Sequence, residues 1–450
     1  MQAHMAQSPK ISTQPYKGTR DFYPEDFRVR EYIFNSIRSA LKQFGYEEYD
    51  GPMLEPFELY ASKSSEEIVN EQLYSLIDRG ERKLAIRPEM TPTLARMVAA
   101  KQQELPKPIR WFSIPNVWRY ERPQRGRLRE HWQLNVDTLG GQPLQQDVEM
   151  CQIIVAIFKA LKVQDGFIVK LNHRGLTDCL FKEFLKLDST ETFTAVGRVL
   201  DAAPKMSTEQ IEQTLSKLLL TPEQIKCFFQ ILNQDKNIHS FLENRAENAH
   251  LTTLMAALHK LNIAQHFRYD PTIMRGFTYY TGIVFEVFDT HPDNNRALFG
   301  GGRYDDLVGL FGGEKLSGVG FGMGDVTIAQ FLETRTLLPS STFNDAIYFS
   351  YMDENLYTDF LILTNTLRNQ FNAAGISTAA ITSQAAEKSK KAFAQAEKLK
   401  CRYLTIIGSN EIATQTITIK DRQTQSSESI SCTQLIDYLK RHTGPEQSLQ

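Results

Sequence analysis

Glycine recurs at every second position from Gly318 to Gly324, in the run Gly-Val-Gly-Phe-Gly-Met-Gly. Successive side chains of a strand point to opposite faces, so this spacing strips one face of a strand bare. A flat group such as a nucleotide base or ribose would fit against that backbone; a close sheet-to-helix contact would use the same pattern. A second glycine stretch, Phe299-Gly-Gly-Gly-Arg-Tyr-Asp305, belongs to the same block. Neither is a dinucleotide fingerprint, since no strand followed by G-x-G-x-x-G opens a helix, and no Walker-type glycine-lysine loop is present.

The stretch from Arg119 to Gln133 places five arginines around a Pro-Gln...Gly turn. Arginine is always charged and presents a planar fork of donors, which suits phosphate oxygens. Strands are expected before Pro123 and after Gly126. Arg125, Arg127 and Arg129 alternate, and Gln133 and Asp137 continue their parity, so one strand face would carry guanidinium groups at one end and amide and carboxylate groups further along. That describes a site with a phosphate end and a hydrogen-bonding end; a solvated basic hairpin is the alternative. With 51 basic against 53 acidic residues and a net charge of -2, any polyanion site must be a local patch.

A length of 450 residues suggests about three domains. Apolar residues at Val29, Ile33, Ile37, Leu41 and Phe44 predict an amphipathic helix from Glu25 to Phe44 that stops at Gly45. Tyr46 to Glu55 reads as a strand broken at Pro52, and Tyr74 to Ile86 as a hairpin with Gly80 at its turn. Thr91-Pro92 opens a helix with proline at the first helical position. From about Leu187 to Phe267 the pattern is helical, with capping boxes at Ser207 to Gln210 and Thr221 to Gln224. Strand character returns from Thr278 to Phe288. Beyond a linker, a small α/β unit alternates strand Ala346 to Phe349, helix Leu356 to Ala374, strand Ser377 to Ile381, helix Ser389 to Lys398 and strand Tyr403 to Gly408. Strand Thr416 to Lys420 and a helix from Cys432 to Arg441 follow. Lys388, Lys390, Lys391, Lys398, Lys400 and Arg402 crowd one region, either an RNA-facing patch or a solvated face.

Cys151, Cys179, Cys227, Cys401 and Cys432 are scattered, without C-x-x-C or histidines at metal-ligand spacing, which argues against structural zinc and a disulfide framework. The polar N-terminus lacks an apolar run, and no segment approaches the ~20 apolar residues of a membrane span. A cytoplasmic setting is expected.

Lys17-Gly-Thr-Arg-Asp-Phe-Tyr-Pro24, Arg87-Pro-Glu-Met-Thr91, Trp118-Arg-Tyr-Glu-Arg-Pro-Gln-Arg-Gly-Arg127, Arg275-Gly-Phe-Thr-Tyr-Tyr-Thr-Gly282 and Gly300-Gly-Gly-Arg-Tyr-Asp305 closely resemble the motifs of histidyl-tRNA synthetases, class II aminoacyl-tRNA synthetases, in order and spacing. The resemblance spans about residues 15 to 440. It implies an α+β fold: a class II antiparallel sheet with flanking helices and a helical insertion, plus a C-terminal α/β anticodon-binding domain. The boundaries it suggests are a flexible extension 1–14, a catalytic domain 15–186 and 268–335, an insertion 187–267, a linker 336–344, an anticodon-binding domain 345–442 and a flexible tail 443–450. A homodimer through the first helix and the Pro52 strand is also implied.

The implied reaction joins L-histidine to ATP, with Mg²⁺ on the phosphates and no fixed protein metal site, and then transfers the histidyl group to the terminal adenosine of tRNA(His). By the resemblance Arg119 holds the α-phosphate, Arg127 the outer phosphates, Glu121 the adenine amino group, and Arg275 the α-phosphate. Glu89 and Thr91 face the amino group of histidine, Asp137 and Tyr280 its imidazole, and Arg119, Gln133, Arg275, Tyr279 and Tyr304 complete the histidine site. Two departures concern the base. The last family motif normally ends Gly-x-Glu-Arg, with the arginine covering adenine, whereas Gly324 is followed by Asp325-Val326-Thr327. The opposite face of the base usually meets an aromatic residue, and His131 stands there, beside Trp132. Thr278 stands where many members have Asp. The rival expectation is a non-catalytic histidine-binding paralogue that regulates ATP phosphoribosyltransferase; the missing arginine favours it, and the arginine set and the C-terminal domain oppose it.

Overall fold

The first helix, Pro24–Gln43, buries Ile33, Phe34, Ile37, Ala40 and Leu41 along one side. Proline opens it where no N–H is required, and Glu25 and Asp26 sit in its positive first turn. The Phe44 N–H closes on the Leu41 carbonyl and the Gly45 N–H on that of Lys42, and Gly45, at φ +74°, ends the helix. The computed structural model describes residues 12–61, 68–203, 206–243, 245–273, 280–292, 294, 297–338 and 344–442. They fall into two units, Met1–Leu338 and Pro339–Gln450.

The first unit is built on a nine-stranded sheet. Its strands, numbered in chain order, are β1 (Glu47–Glu48), β2 (Ile109–Ser113), β3 (Asn116–Trp118), β4 (Glu130–Leu139), β5 (Phe167–His173), β6 (Phe267–Tyr269), β7 (Ile283–Asp289), β8 (Ala297–Arg303) and β9 (Gly318–Gly324). The spatial order is β1-β2-β4-β9-β8-β7-β5-β6, with β3 also on β4. The centre of the sheet is antiparallel throughout, and only the β1–β2 and β5–β6 pairs at its edges are parallel. The expected strand Tyr46 to Glu55 is divided between sheets: β1 joins the large one, and Leu54–Pro56 joins a three-stranded sheet with Lys83–Ile86 and Ser75–Ile77. In that hairpin the Asp78 carboxylate accepts from the Gly80 and Arg82 N–H groups, and Glu81 rather than Gly80 takes the positive φ. The helix after it begins at Thr91, so Pro92 is its second residue.

One face of the large sheet carries Leu134, Val136, Phe285, Val287, Phe299, Phe321 and Met323, which pack with helices Pro24–Gln43 and Pro143–Ala160 into the main core. Helices Thr190–Ala202, Thr208–Lys217, Pro222–Leu232, Lys236–Leu242 and Ala246–Lys260 extend the same core. Both expected capping boxes form, so helix-end N–H groups are satisfied by Ser207 and Thr221 while Gln210 and Gln224 reach back.

In the second unit a five-stranded sheet runs Ala379–Thr382, Asn344–Tyr351, Cys401–Ile407, Thr416–Asp421 and Ser427–Ser431, the first three parallel. The edge strand Ser427–Ser431 was not expected, because it buries only Ile430 and its remaining residues are polar. The mixed α+β class is the one expected.

The closest backbone approach in the large sheet sets a prediction. A Cβ on Gly301 would lie 2.1 Å from the Gly320 carbonyl oxygen. Neither strand can retreat without breaking its ladder, so Gly301→Ala should destabilise the chain by about 3 kcal/mol or more, measured as a lowered denaturant midpoint.

Candidate active site

The other face of the large sheet is nearly bare at its centre. Gly320 pairs with Asp137 and with Gly302, and Gly322 pairs with Asn135 and with Gly300, so glycines of β8 and β9 form a lane between β4 and β7. The lane is occupied by side chains leaning in from its borders. A Cβ on Gly320 would meet Asp137 Oδ1 at 2.2 Å, one on Gly322 would meet Gln133 Nε2 at 2.7 Å, and one on Gly302 would meet the Tyr280 ring at 2.7 Å. The alternating glycines therefore make room for polar side chains lying flat on the sheet. The cavity above them holds about 320 Å³, within the range of small-molecule sites.

The segment 87–91 forms a second wall. Buried Arg87 donates from Nε to the Asn116 carbonyl at 2.9 Å and from Nη1 to the Gly51 carbonyl and the Asp50 carboxylate, each at 2.7 Å. Arg119 Nε donates to the Pro88 carbonyl at 2.9 Å. These bonds hold Glu89 and Thr91 at the cavity edge beside Arg119.

The arginine turn departs from its expected form. Strand β4 begins only at Glu130, and Arg125, Arg127 and Arg129 belong to the preceding turn rather than to one strand face. The cause is the N-terminal segment, whose Gly18 carbonyl takes the Arg129 N–H at 2.8 Å. The Arg129 guanidinium turns away to the Glu121 carbonyl, the Tyr16 hydroxyl and the Tyr120 ring. Arg127 does line the cavity, largely exposed, with Nη1 3.6 Å from Glu121 Oε2. The parity from His131 through Gln133, Asn135 and Asp137 is kept, and all four face the cavity.

Two groups on β4 are strongly perturbed. Burial, aided by the Arg119 charge, pushes the His131 imidazole down to about 3, so it is neutral at physiological pH. Burial raises the Asp137 carboxyl to about 7, against a smaller lowering by the Tyr304 hydroxyl, which donates to Asp137 Oδ1. Trp132 points to the opposite face, edge-on to Phe22 at 5.1 Å and under the Arg30 guanidinium at 4.3 Å. Asp325 accepts from the Trp132 N–H at 3.1 Å and pairs with Arg20 at 2.7 Å. Thr327, where the motif arginine was expected, donates to the Leu298 carbonyl at 2.8 Å and closes the far end of the cavity with Val326.

Glu89, Thr91, Arg119, Glu121, Arg127, His131, Gln133, Asp137, Tyr280 and Tyr304 thus line one cavity. Arg275, Thr278 and Tyr279 lie outside the described residues. Sequence reasoning missed Asn135 and Glu286, both cavity-lining. Period-two counting from Gln133 would have found the first, and the charged residue inside Ile-Val-Phe-Glu-Val-Phe-Asp289 marks the second.

Comparison with known proteins decides the family. The histidyl-tRNA synthetase model matches residues 18–326, and an anticodon binding domain model matches residues 351–442. The chain belongs to the histidyl-tRNA synthetase family. A histidine–tRNA ligase of Leptospira biflexa is 40% identical over 437 residues, covering 96% of this chain and 98% of that protein. The chloroplastic/mitochondrial histidine–tRNA ligase of Arabidopsis thaliana is 32% identical over 91% of this chain and 83% of its own length. The crystal structure of histidyl-tRNA synthetase from Nostoc sp. PCC 7120 superposes with a TM-score of 0.80 at 25% identity, over 96% of this chain and 100% of that one. Against the histidyl-tRNA synthetase motifs, the altered residues Asp325 and Thr327 are both tied into the fold by their own hydrogen bonds.

Asp137 yields a pH prediction for this family member. Its folded pKa of about 7 exceeds the unfolded value of about 3.9. The folded chain therefore holds this proton more tightly, and its stability falls as pH rises between those values and levels off above 7. Asp137→Asn keeps an acceptor for Tyr304 but cannot ionise. Its Tm should match wild type near pH 4 and exceed it by several degrees at pH 8, on the order of 2–4 kcal/mol at ~1.4 kcal/mol per pKa unit; thermal melts at both pH values check this.

Proposed function

We propose that this chain is a histidine–tRNA ligase that activates L-histidine with ATP and passes the histidyl group to the terminal adenosine of tRNA(His). The observation that carries this reading is the meeting, in one cavity of a family member, of Arg119 and Arg127 with Glu89, Thr91, Gln133, Asp137, Tyr280 and Tyr304. In the first step a carboxylate oxygen of histidine attacks the α-phosphorus of ATP in line, and pyrophosphate leaves. The nucleophile is already ionised, so the protein's task is positioning and neutralisation of charge developing on the phosphates. Arg119 and Arg275 hold the α-phosphate, Arg127 the outer phosphates, and Mg²⁺ arrives with the nucleotide as part of the substrate. In the second step a ribose hydroxyl of the terminal adenosine attacks the acyl carbon and AMP leaves.

Glu89 and Thr91 take the α-ammonium group, while Asp137 and Tyr280 take the imidazole. An amino acid without that ring forgoes the hydrogen bonds these buried polar groups offer, which gives strong discrimination without an editing domain. Glu121 takes the adenine amino group, and the neutral His131 ring covers the base where Val326 and Thr327 close the cavity. The anticodon binding domain match over 351–442 supports tRNA as a partner. The ligase reading is favoured over the paralogue reading by relatives named histidine–tRNA ligase that align over almost the whole chain. Exposed Met53, Leu54, Leu76 and Ile77 on the small sheet support a homodimer through that region. No described helix is long and apolar enough to cross a membrane. The five unpaired cysteines suit a reducing, cytoplasmic compartment.

Histidine-dependent exchange of pyrophosphate into ATP by the purified chain tests the reading; absence of exchange with a folded protein overturns it. Arg119→Ala should slow exchange by roughly 100-fold or more, the scale for losing one donor to developing charge. His131→Ala should raise KM for ATP about tenfold, the scale of a lost stacking contact, with little change for histidine. His131→Phe should recover most of that loss.

A further inference from the structure

The polarity of one hydrogen-bonded pair in the cavity is set by the backbone. Asn135 Nδ2 donates to the main-chain carbonyl of Gln133 at 3.1 Å, and a carbonyl can only accept. The amide of Asn135 therefore turns its oxygen the other way, where it accepts from Gln133 Nε2 at 2.7 Å. One N–H of the Gln133 amide is thereby committed to Asn135, which turns its Oε1 the other way, toward further partners. One of these is His131, which hydrogen-bonds to the Gln133 side chain. A carbonyl oxygen has two lone pairs, so a second acceptor position remains.

Residues two apart on a strand are roughly 6.5–7 Å apart at Cα and do not ordinarily meet. These two meet over the glycine lane: a Cβ on Gly322 would lie 2.7 Å from Gln133 Nε2 and 3.5 Å from Asn135 Oδ1. Both residues line the cavity.

We propose that Asn135 is a positioning residue for amino-acid recognition: it acts through Gln133, locking that amide so that Oε1 faces the substrate as an acceptor for an N–H donor of histidine. The inference rests on the ligase reading. An unlocked glutamine could rotate its amide and offer NH₂ in place of oxygen; the substrate's ammonium would then face a donor. Asn135 removes that freedom, although it need not touch the substrate.

The test is a double-mutant cycle in the histidine-dependent exchange assay on the full chain, with KM measured for both substrates. Asn135→Ala should raise KM for histidine roughly fivefold to tenfold, the scale of one polar interaction, and leave KM for ATP within about twofold. In a Gln133→Ala background the same substitution should add nothing, because the residue it positions is gone. Asn135→Leu, which keeps the branched four-atom side chain but removes its polar atoms, should reproduce the alanine result and serves if the alanine chain fails to fold. An unchanged histidine KM, an equal rise for both substrates, or additive effects in the double variant would each overturn the proposal while leaving the ligase reading intact. A folded wild-type chain silent with histidine would overturn both.

Discussion

The cavity depends on a row of positions where no side chain is allowed. Gly302, Gly320 and Gly322 are each crossed within 2.7 Å of where a Cβ would stand, by Tyr280, Asp137 and Gln133. In an ordinary antiparallel sheet, side chains stand roughly perpendicular to it and fill the space above. Here the central strands are bare, so the bordering strands lay their polar groups flat along the floor. That geometry buries Asp137 deeply enough to raise its carboxyl to about 7, and it brings Gln133 and Asn135 into contact.

The floor is braced from behind. Arg303 adjoins Tyr304, the residue whose hydroxyl holds Asp137. Its guanidinium donates to the Asp147 carboxylate at 2.5 Å, and the other oxygen of Asp147 meets His250 at 2.8 Å. Asp147 belongs to a core helix and His250 to helix Ala246–Lys260, so the helical segment is bonded to the strand that carries a cavity residue. A charge buried at that point is tolerable because it is paired on both sides.

Much of the architecture was legible because it rests on local rules. The first helix, the hairpin around Gly80, both capping boxes and the glycine strand each follow from spacing and end chemistry within one short segment. The family motifs also located the cavity-lining residues that the structure gathers. What escaped was set by distant partners. Strand β4 starts at Glu130 because Arg129 bonds to Gly18, and no property of residues 119–133 contains that information. Tyr46 to Glu55 splits between two sheets because each half finds a different neighbour. The alternating glycines were read as space for a base, ribose or packed helix; that they also make room for Asp137 and Gln133 requires knowing that β4 pairs with β9 in that register.

Where Gly300, Gly320, Gly322 and Gly324 line the cavity, what they present there is main chain. An inhibitor resting on those peptide groups makes contacts that point mutation cannot delete, since every residue carries the same backbone. Nor can mutation readily obstruct them at Gly320 and Gly322, because a side chain there would collide with Asp137 or Gln133 before it reached the compound. Escape from such a compound would have to come from the rim, at residues such as Val326 or Leu128, and drug resistance should map there.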